Sequence, residues 1–590
     1  MKKTYFIVKR IIELSITLDK KHLISFFLVN IIKLIFPLLI MINTQTIVNN
    51  IQTGIPFHSP EFFSLIILFP ILNVFSELFN NLNTYLSSRY SDILNFKFSE
   101  LQLKSVFKHS LEDFENPEFY DLIQRAEQAG GVYPFQIIMT MVSVSSILLT
   151  SISYIIILLR WKWWTIILLF LFPFISSIKT LRLSKDEFTI MYSRTNLERK
   201  SWYYANLLNK DEFFKETTLY SLGNNFLEEF TNLRKKFINE NKKMYRRRNK
   251  FTFLVSFITI FTTSIILCIV FYEASVGIIL IGSLMTYVNS ISTLKNNFSS
   301  IINSFFSLHQ QSLYAKNILD LLDYKSIPEE KPNHQKKITI KQISSIELKN
   351  VSFKYVQSSR YALKDISLNF EKGKKYIIVG KNGSGKSTLL KIILGFYNNF
   401  EGEMLINEIP FSDIDINSYR KCISAVFQDF AKYQFKINET ISLSKNRDID
   451  MRDIKKAASE ANASQFIKQL PFKYEQQLGS WFPNGIQLSG GEWQKVSIAR
   501  AFYKDNASLV VLDEPSSALD PISEEKVFKS YKSLVNNKIG IFVTHRIKNI
   551  DFEGDIIVLN LGKISEYGKQ SDLIKKQGLF YELSTAKKQF

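Results

Sequence analysis

Two cysteines in 590 residues, Cys268 and Cys422, leave no disulfide framework to read. They lie in different halves of the chain, and neither has a Cys or His partner at metal-ligand spacing. A cleavable signal peptide is missing: Met1 to Lys21 is charged and amphipathic, not a short apolar core followed by small residues. The charge is lopsided, with 74 Lys and Arg against 54 Asp and Glu and a net charge of +20. Yet no single basic patch collects it, which argues against a nucleic-acid partner. The cations gather in particular loops instead, as they do in membrane proteins.

What is present is apolar and unevenly spread. The chain is too long for one core, so two or more domains are expected. It is 46% hydrophobic with 50 Phe, but long apolar runs crowd the first half. At about 20 residues per membrane crossing, six candidate spans fall near 23–46, 61–83, 136–158, 163–182, 251–272 and 275–296. Glu77, Asn80 and Asn81 interrupt the second, and Asn289 and Ser290 the sixth. The loops alternate in charge. The N-terminal segment carries Lys2, Lys3, Lys9, Arg10, Lys20 and Lys21, whereas 47–60 has no Lys or Arg. The next connection, about 84–135, is basic; Leu159 to Lys162 is short; the following one ends in Arg246-Arg247-Arg248; Tyr272-Glu273-Ala274 is short again. By the positive-inside rule both termini are cytoplasmic, in a multi-pass protein of the plasma membrane. The two long connections suit helices that continue beyond the bilayer. Within them, 114–121 (a Pro after a capping Asn) and 219–223 are either solvated hairpin tips or short docking helices. Lys33 and Glu77, ionisable residues inside spans, are candidates for a polar cavity or for snorkelling at span ends.

The expected domains are a membrane domain over 1–319, a Pro- and Lys-containing linker over 320–345, and a soluble α/β domain over 346–590. In the last, Gly380-Lys381-Asn382-Gly383-Ser384-Gly385-Lys386-Ser387-Thr388 fits G-x-x-x-x-G-K-[ST]. The apolar run Tyr376–Val379 precedes it as a strand, and Leu389–Leu394 follows it as a helix. Its glycines let backbone N–H groups turn onto phosphate oxygens, and the helix start adds positive potential. Lys386 can reach the β- and γ-phosphates, and the Ser387 hydroxyl can hold Mg²⁺. Leu509–Leu512 is a second apolar strand, expected to neighbour the phosphate loop, and it ends in Asp513-Glu514. Asp513 suits Mg²⁺, and Glu514 suits the general base that polarises water. Gln428 can touch metal and water, and His545, after the strand Gly540–Thr544, can reach the γ-phosphate.

With Leu488-Ser489-Gly490-Gly491-Glu492, the stretch from Ile346 to about Ser584 resembles the nucleotide-binding domain of ABC transporters. The motif order is that family's: Tyr355, Walker A at 380–387, Gln428, the signature at 488–492, Walker B at 509–514, the D-loop Ser517-Ala518-Leu519-Asp520, and His545. The resemblance implies ATP with Mg²⁺ between two head-to-tail domains. Tyr355 would stack on adenine, Ser489, Gly490 and Gly491 would cover the partner's γ-phosphate, and Asp520 would line the shared site. One Walker A and one signature per chain imply a homodimer, or a heterodimer. The first half resembles the six-helix domain of ABC exporters, which favours the docking-helix reading of 114–121 and 219–223. The expected architecture is therefore a multi-domain membrane protein: an all-α six-span domain, then an α/β P-loop ATPase domain.

Three stretches bring the chain nearest to exporters of ribosomally made, modified peptides of the lantibiotic type: Phe427–Tyr433, Gly479-Ser480-Trp481-Phe482, and Trp493 after the signature glutamate; 114–126 agrees. Only about 22 residues precede the first span, without a Cys. A cysteine peptidase that trims leaders is thus not expected, and a precursor substrate would leave with its leader attached. The expected partners are a peptide, with a modification-enzyme complex beside it, and the lipid bilayer. The alternative is a lipid or hydrophobic-drug exporter driven by the same ATPase. A DNA-acting P-loop ATPase is disfavoured by the spans and by the lack of a long coiled coil. A membrane ABC protein that gates instead of pumping stays open.

Overall fold

A computed structural model describes residues 2–171, 189–190, 193–325, 337–355, 358–445, 449–515, 521–544 and 554–585. They form two compact units, one of Met1–His109 with Pro117–Tyr324, the other of Ser110–Asn116 with Lys325–Phe590.

The first unit is built of helices: α1 Lys2–Leu18, α2 Lys20–Lys33, α3 Ile35–Gln52, α4 Pro60–Val106, α6 Pro117–Ala129, α7 Val132–Leu159, α8 Thr195–Asn209, α9 Asp211–Leu219, α10 Gly223–Ser275 and α11 Ile281–Leu322; α5, Leu111–Phe114, belongs to the second unit. Among the described residues, Lys20–Gln52, α4, α7 and α10 are long and apolar enough to cross a membrane. At 47 and 53 residues, α4 and α10 far exceed one bilayer crossing. Ser59 caps the start of α4 by accepting from the Phe62 amide, with Pro60 in the first turn. The expected span 275–296 is offset. α10 runs to Ser275, Gly277 turns the chain at φ +81°, and α11 starts at Ile281. The latter part of the expected span 163–182 lies outside the described residues. Helices α3 and α11 meet through polar groups. Gln45 Nε2 donates to Ser283 Oγ at 3.1 Å, and Thr286 Oγ1 donates to Gln45 Oε1 at 3.1 Å. Gly282 permits this approach, since a Cβ there would lie 2.3 Å from the Gln45 carbonyl oxygen. Lys33 is half-buried and Glu77 exposed.

The second unit carries two sheets. Strands β1 Ser345–Phe353, β2 Leu363–Glu371, β4 Glu401–Ile406 and β5 Ile409–Pro410 make an antiparallel sheet in the order β2-β1-β4-β5. Strands β3 Lys375–Gly380, β6 Ile423–Val426, β7 Leu509–Asp513, β8 Ile539–Val543, β9 Asp555–Asn560 and β10 Lys563–Lys569 make the other, in the order β10-β9-β3-β8-β7-β6. All but β10 run parallel there. Both faces are covered, so β3 and β7 carry unbroken apolar runs, Tyr376–Val379 and Leu509–Leu512, instead of alternating with polar residues. Ile377, Val379, Val510 and Leu512 enter one core, and Tyr376, Ile378, Leu509 and Val511 the other. Helices α12 Lys386–Ile393, α13 Ile416–Lys421, α14 Ile437–Ser442, α15 Met451–Glu460, α16 Ser464–Gln469, α17 Gly490–Tyr503, α18 Pro521–Leu534, α19 Gln570–Lys576 and α20 Leu579–Thr585 complete the unit. In this order β8 lies between β3 and β7.

Candidate functional site

The loop leaves β3 at Gly380, where side-chain space is closed on both sides. A Cβ would meet the Leu559 carbonyl oxygen at 2.4 Å and Ser384 Oγ at 2.5 Å. Gly383 and Gly385 take φ of +76° and +103°, the region that glycine enters without steric cost. The backbone then enters α12 with Lys386 buried and Lys381, Asn382 and Ser387 exposed. Lys386 Nζ folds back over the loop, donating to the Gly380 carbonyl at 2.9 Å and the Lys381 carbonyl at 3.2 Å. Burial lowers its pKa, and Glu514 and Asp513 oppose that shift. Ser384 Oγ is buried with no partner among the described residues. A buried orphan hydroxyl, open amides and an ammonium at a helix start suit an oxyanion such as phosphate.

Asp513 and Glu514 sit at the end of β7, both buried. Burial, then Glu514, pushes the Asp513 carboxyl up to about 6, with Lys386 pulling the other way. Glu514 holds φ +46°, unusual for a residue with a side chain. Its amide donates to the Val543 carbonyl at 3.0 Å, so β8 holds this strained turn. Gln428 Nε2 donates to Glu514 Oε2 at 3.0 Å. Thus Gln428, Glu514, Asp513 and Lys386 come together although 128 positions separate Lys386 from Glu514. Tyr355 is placed over the same helix: its hydroxyl and Thr388 Oγ1 lie 2.9 Å apart.

The signature opens α17. Ser489 is its N-cap, in a reciprocal capping box with Glu492. Ser489 Oγ donates to Glu492 Oε2 at 2.8 Å, and the Glu492 amide donates back to Ser489 Oγ at 3.3 Å. Ser489 and Gly490 are exposed, while Trp493 turns into the core. Asp520 and His545 lie outside the described residues. Two supporting groups carry no motif signal. Gln494 Nε2 approaches the Glu514 carbonyl at 3.5 Å, and Gly562, whose amide donates to the Ser384 carbonyl, backs the loop.

The family model described as "ABC transporter" matches residues 363–517, from β2 past the Asp513-Glu514 pair. The subtilin transport ATP-binding protein SpaT of Bacillus subtilis is 32% identical over 99% of this chain and 95% of its own length. The chain is an ABC transporter. The nisin transport ATP-binding protein NisT of Lactococcus lactis subsp. lactis is 30% identical, over 97% of this chain and 94% of its own length. A lipid A-core flippase of Colwellia psychrerythraea is 34% identical, over 47% of this chain and 46% of its own. The structure of a bacterial Atm1-family ABC exporter superposes with a TM-score of 0.79 and 19% identity, over 97% of this chain and 99% of that one. This ABC transporter thus joins an apolar helical domain and an α/β ATPase domain in one chain, and it is an ATP-driven membrane exporter.

Proposed function

We propose that this exporter carries a ribosomally made, modified peptide of the lantibiotic type across the plasma membrane, with its leader still attached. One observation carries the reading. Similarity to the subtilin and nisin transport proteins runs through both domains, whereas similarity to the lipid A-core flippase covers under half of the chain. A shared ATPase engine would account for most of the flippase match, whereas the subtilin and nisin matches span nearly the whole chain.

The working unit is a homodimer of six-span chains, with both termini and the ATPase domains in the cytoplasm. The loop 380–388 holds the phosphates of ATP, and Tyr355 stacks on the base. Ser387, Gln428 and Asp513 would hold Mg²⁺. The metal supplies charge neutralisation on the phosphates. Glu514, oriented by Gln428, accepts the proton of the attacking water, and Lys386 balances charge on the phosphate oxygens. His545 and Asp520 complete the site, and Ser489, Gly490 and Gly491 close it from the other chain. ATP-driven closure moves the docking segments 114–121 and 219–223 and turns the membrane domain outward. The structure describes Leu219 and Tyr220 as strongly exposed at the end of α9, as a docking tip requires.

The test is ATPase stimulation in purified, lipid-reconstituted protein. Leader-bearing modified precursor should stimulate turnover, and lipid A analogues and hydrophobic dyes should not. Stimulation by lipids or dyes alone overturns the peptide assignment.

A further inference from the structure

Ser110–Asn116 interrupts the first unit in sequence but packs with the second. Ser110 and Asp113 cap each other at the start of α5, and Leu111 packs against the core beneath the phosphate-loop helix. The segment delivers Glu115 to two groups at once. The Tyr397 hydroxyl donates to the Glu115 carboxylate at 2.8 and 2.9 Å, and Lys391 Nζ donates to it at 3.0 Å. Lys391 also reaches the Tyr397 hydroxyl at 3.1 Å.

Both partners lead to the helix that the phosphate loop opens and to Tyr355. Lys391 lies on α12, three residues past Thr388, and so on the same face of the helix that the phosphate loop opens. Tyr397 is fully buried. Its ring stacks on Phe353 at 4.7 Å and meets Tyr355 edge-on at 5.9 Å; Phe353 and Tyr355 are 5.2 Å apart. Tyr355 returns to α12 through Thr388. Contacts link Lys391, Glu115, Tyr397, Tyr355 and Thr388 in turn, and α12 itself joins Thr388 to Lys391. Close-packed aromatics of this kind shift together, not one at a time. Burial and Glu115 raise the Tyr397 pKa, so the phenol stays a neutral donor to a charged acceptor. A bare Glu115–Lys391 pair, with side chains 37% and 33% exposed, would contribute little by itself.

We propose that Glu115 is a positioning residue that reads occupancy of the Tyr355 face, through Tyr397 and Lys391, into the Ser110–Asn116 segment. The proposal rests on Tyr355 as the adenine-stacking residue. A base laid on that ring displaces the Tyr355–Thr388 bond or the Tyr355–Tyr397 edge contact, and Tyr397 carries the change to Glu115.

The experiment uses the full chain in lipid nanodiscs. Hydrogen exchange of 110–116 is measured with and without a non-hydrolysable ATP analogue, and analogue affinity is measured alongside. In the unaltered protein the analogue slows exchange of this segment. Glu115→Gln and Tyr397→Phe bind the analogue as the unaltered protein does but lose most of that slowing. The double variant loses no more than either single one. Tyr355→Ala weakens binding about tenfold, the worth of one base–aromatic stack. Overturning results are no analogue-dependent slowing in the unaltered protein, or slowing that survives in Glu115→Gln at matched saturation. Faster exchange of Glu115→Gln by the same amount with and without analogue marks a passive anchor, and also overturns the relay. Unchanged affinity in Tyr355→Ala refutes the adenine assignment instead, so the two failures are distinguishable.

Discussion

Glu514 combines burial, a left-handed backbone and a donor, Gln428, aimed at its carboxylate. As the proposed general base, it predicts that Glu514→Gln lowers phosphate release by a factor of about 10² to 10⁴ while ATP still binds. Phosphate release and a nucleotide-binding assay check both halves, and rapid hydrolysis by that variant sinks the base assignment. Gly385 tests the cradle. At φ +103°, an added Cβ would also press on the Ala362 carbonyl oxygen at 2.8 Å. Gly385→Ala should destabilise the ATPase domain by about 1–3 kcal/mol, seen as a lower nucleotide-free melting temperature, with weakened ATP binding. Such residues were legible in the sequence because their chemistry requires fixed local spacing. Tyr397 and Glu115 were not, since 282 positions separate them and nothing local marks their meeting. In the helical domain the ionisable Lys33 and Glu77 stand out in the sequence, whereas no local pattern marks the amide and hydroxyl contacts of Gln45, Ser283 and Thr286.

Helix α5 carries its own pH sensitivity. Burial first, then Asp113 and Glu115, raises the Glu112 carboxyl from 4.5 to about 7. A carboxyl whose folded pKa lies above its unfolded one binds its proton more tightly when seated. Seating is therefore favoured at low pH and weakens as pH rises from about 4.5 to about 7. Hydrogen exchange of 110–116, corrected for intrinsic rate, should be slower at about pH 6 than at about pH 8. Glu112→Gln should erase that difference, and a persisting one would assign it to another group. In α17, Glu492→Ala opens the capping box and should cost about 1 kcal/mol, read by denaturant unfolding. The parallel strands were legible as unbroken apolar runs bounded by motifs. Their order was not: β8 inserts between β3 and β7 through crossovers that leave no local trace. The turn before α11 was hidden likewise, because Val276, Ile278, Ile279 and Leu280 keep the stretch apolar while Gly277 breaks the helix.

The complete molecule extends the meaning of the phosphate loop. One chain holds one loop and one signature, so the proposed site closes only across two chains. Lys386→Ala and Gly490→Asp should each be inactive alone. Co-assembled, they should regain part of the turnover, because one pairing restores an unaltered loop opposite an unaltered signature; no recovery would argue against shared sites. Fold and engine were legible because nucleotide chemistry constrains them residue by residue. The cargo was legible only as kinship, since a membrane cavity selects by shape and polarity spread over distant helices. The central claim is therefore tested most directly by transport itself. In inside-out vesicles containing the purified exporter, labelled leader-bearing modified precursor should accumulate only with ATP, and Glu514→Gln should abolish the accumulation. Vesicles that take up lipid or dye with ATP but never the precursor would contradict the account.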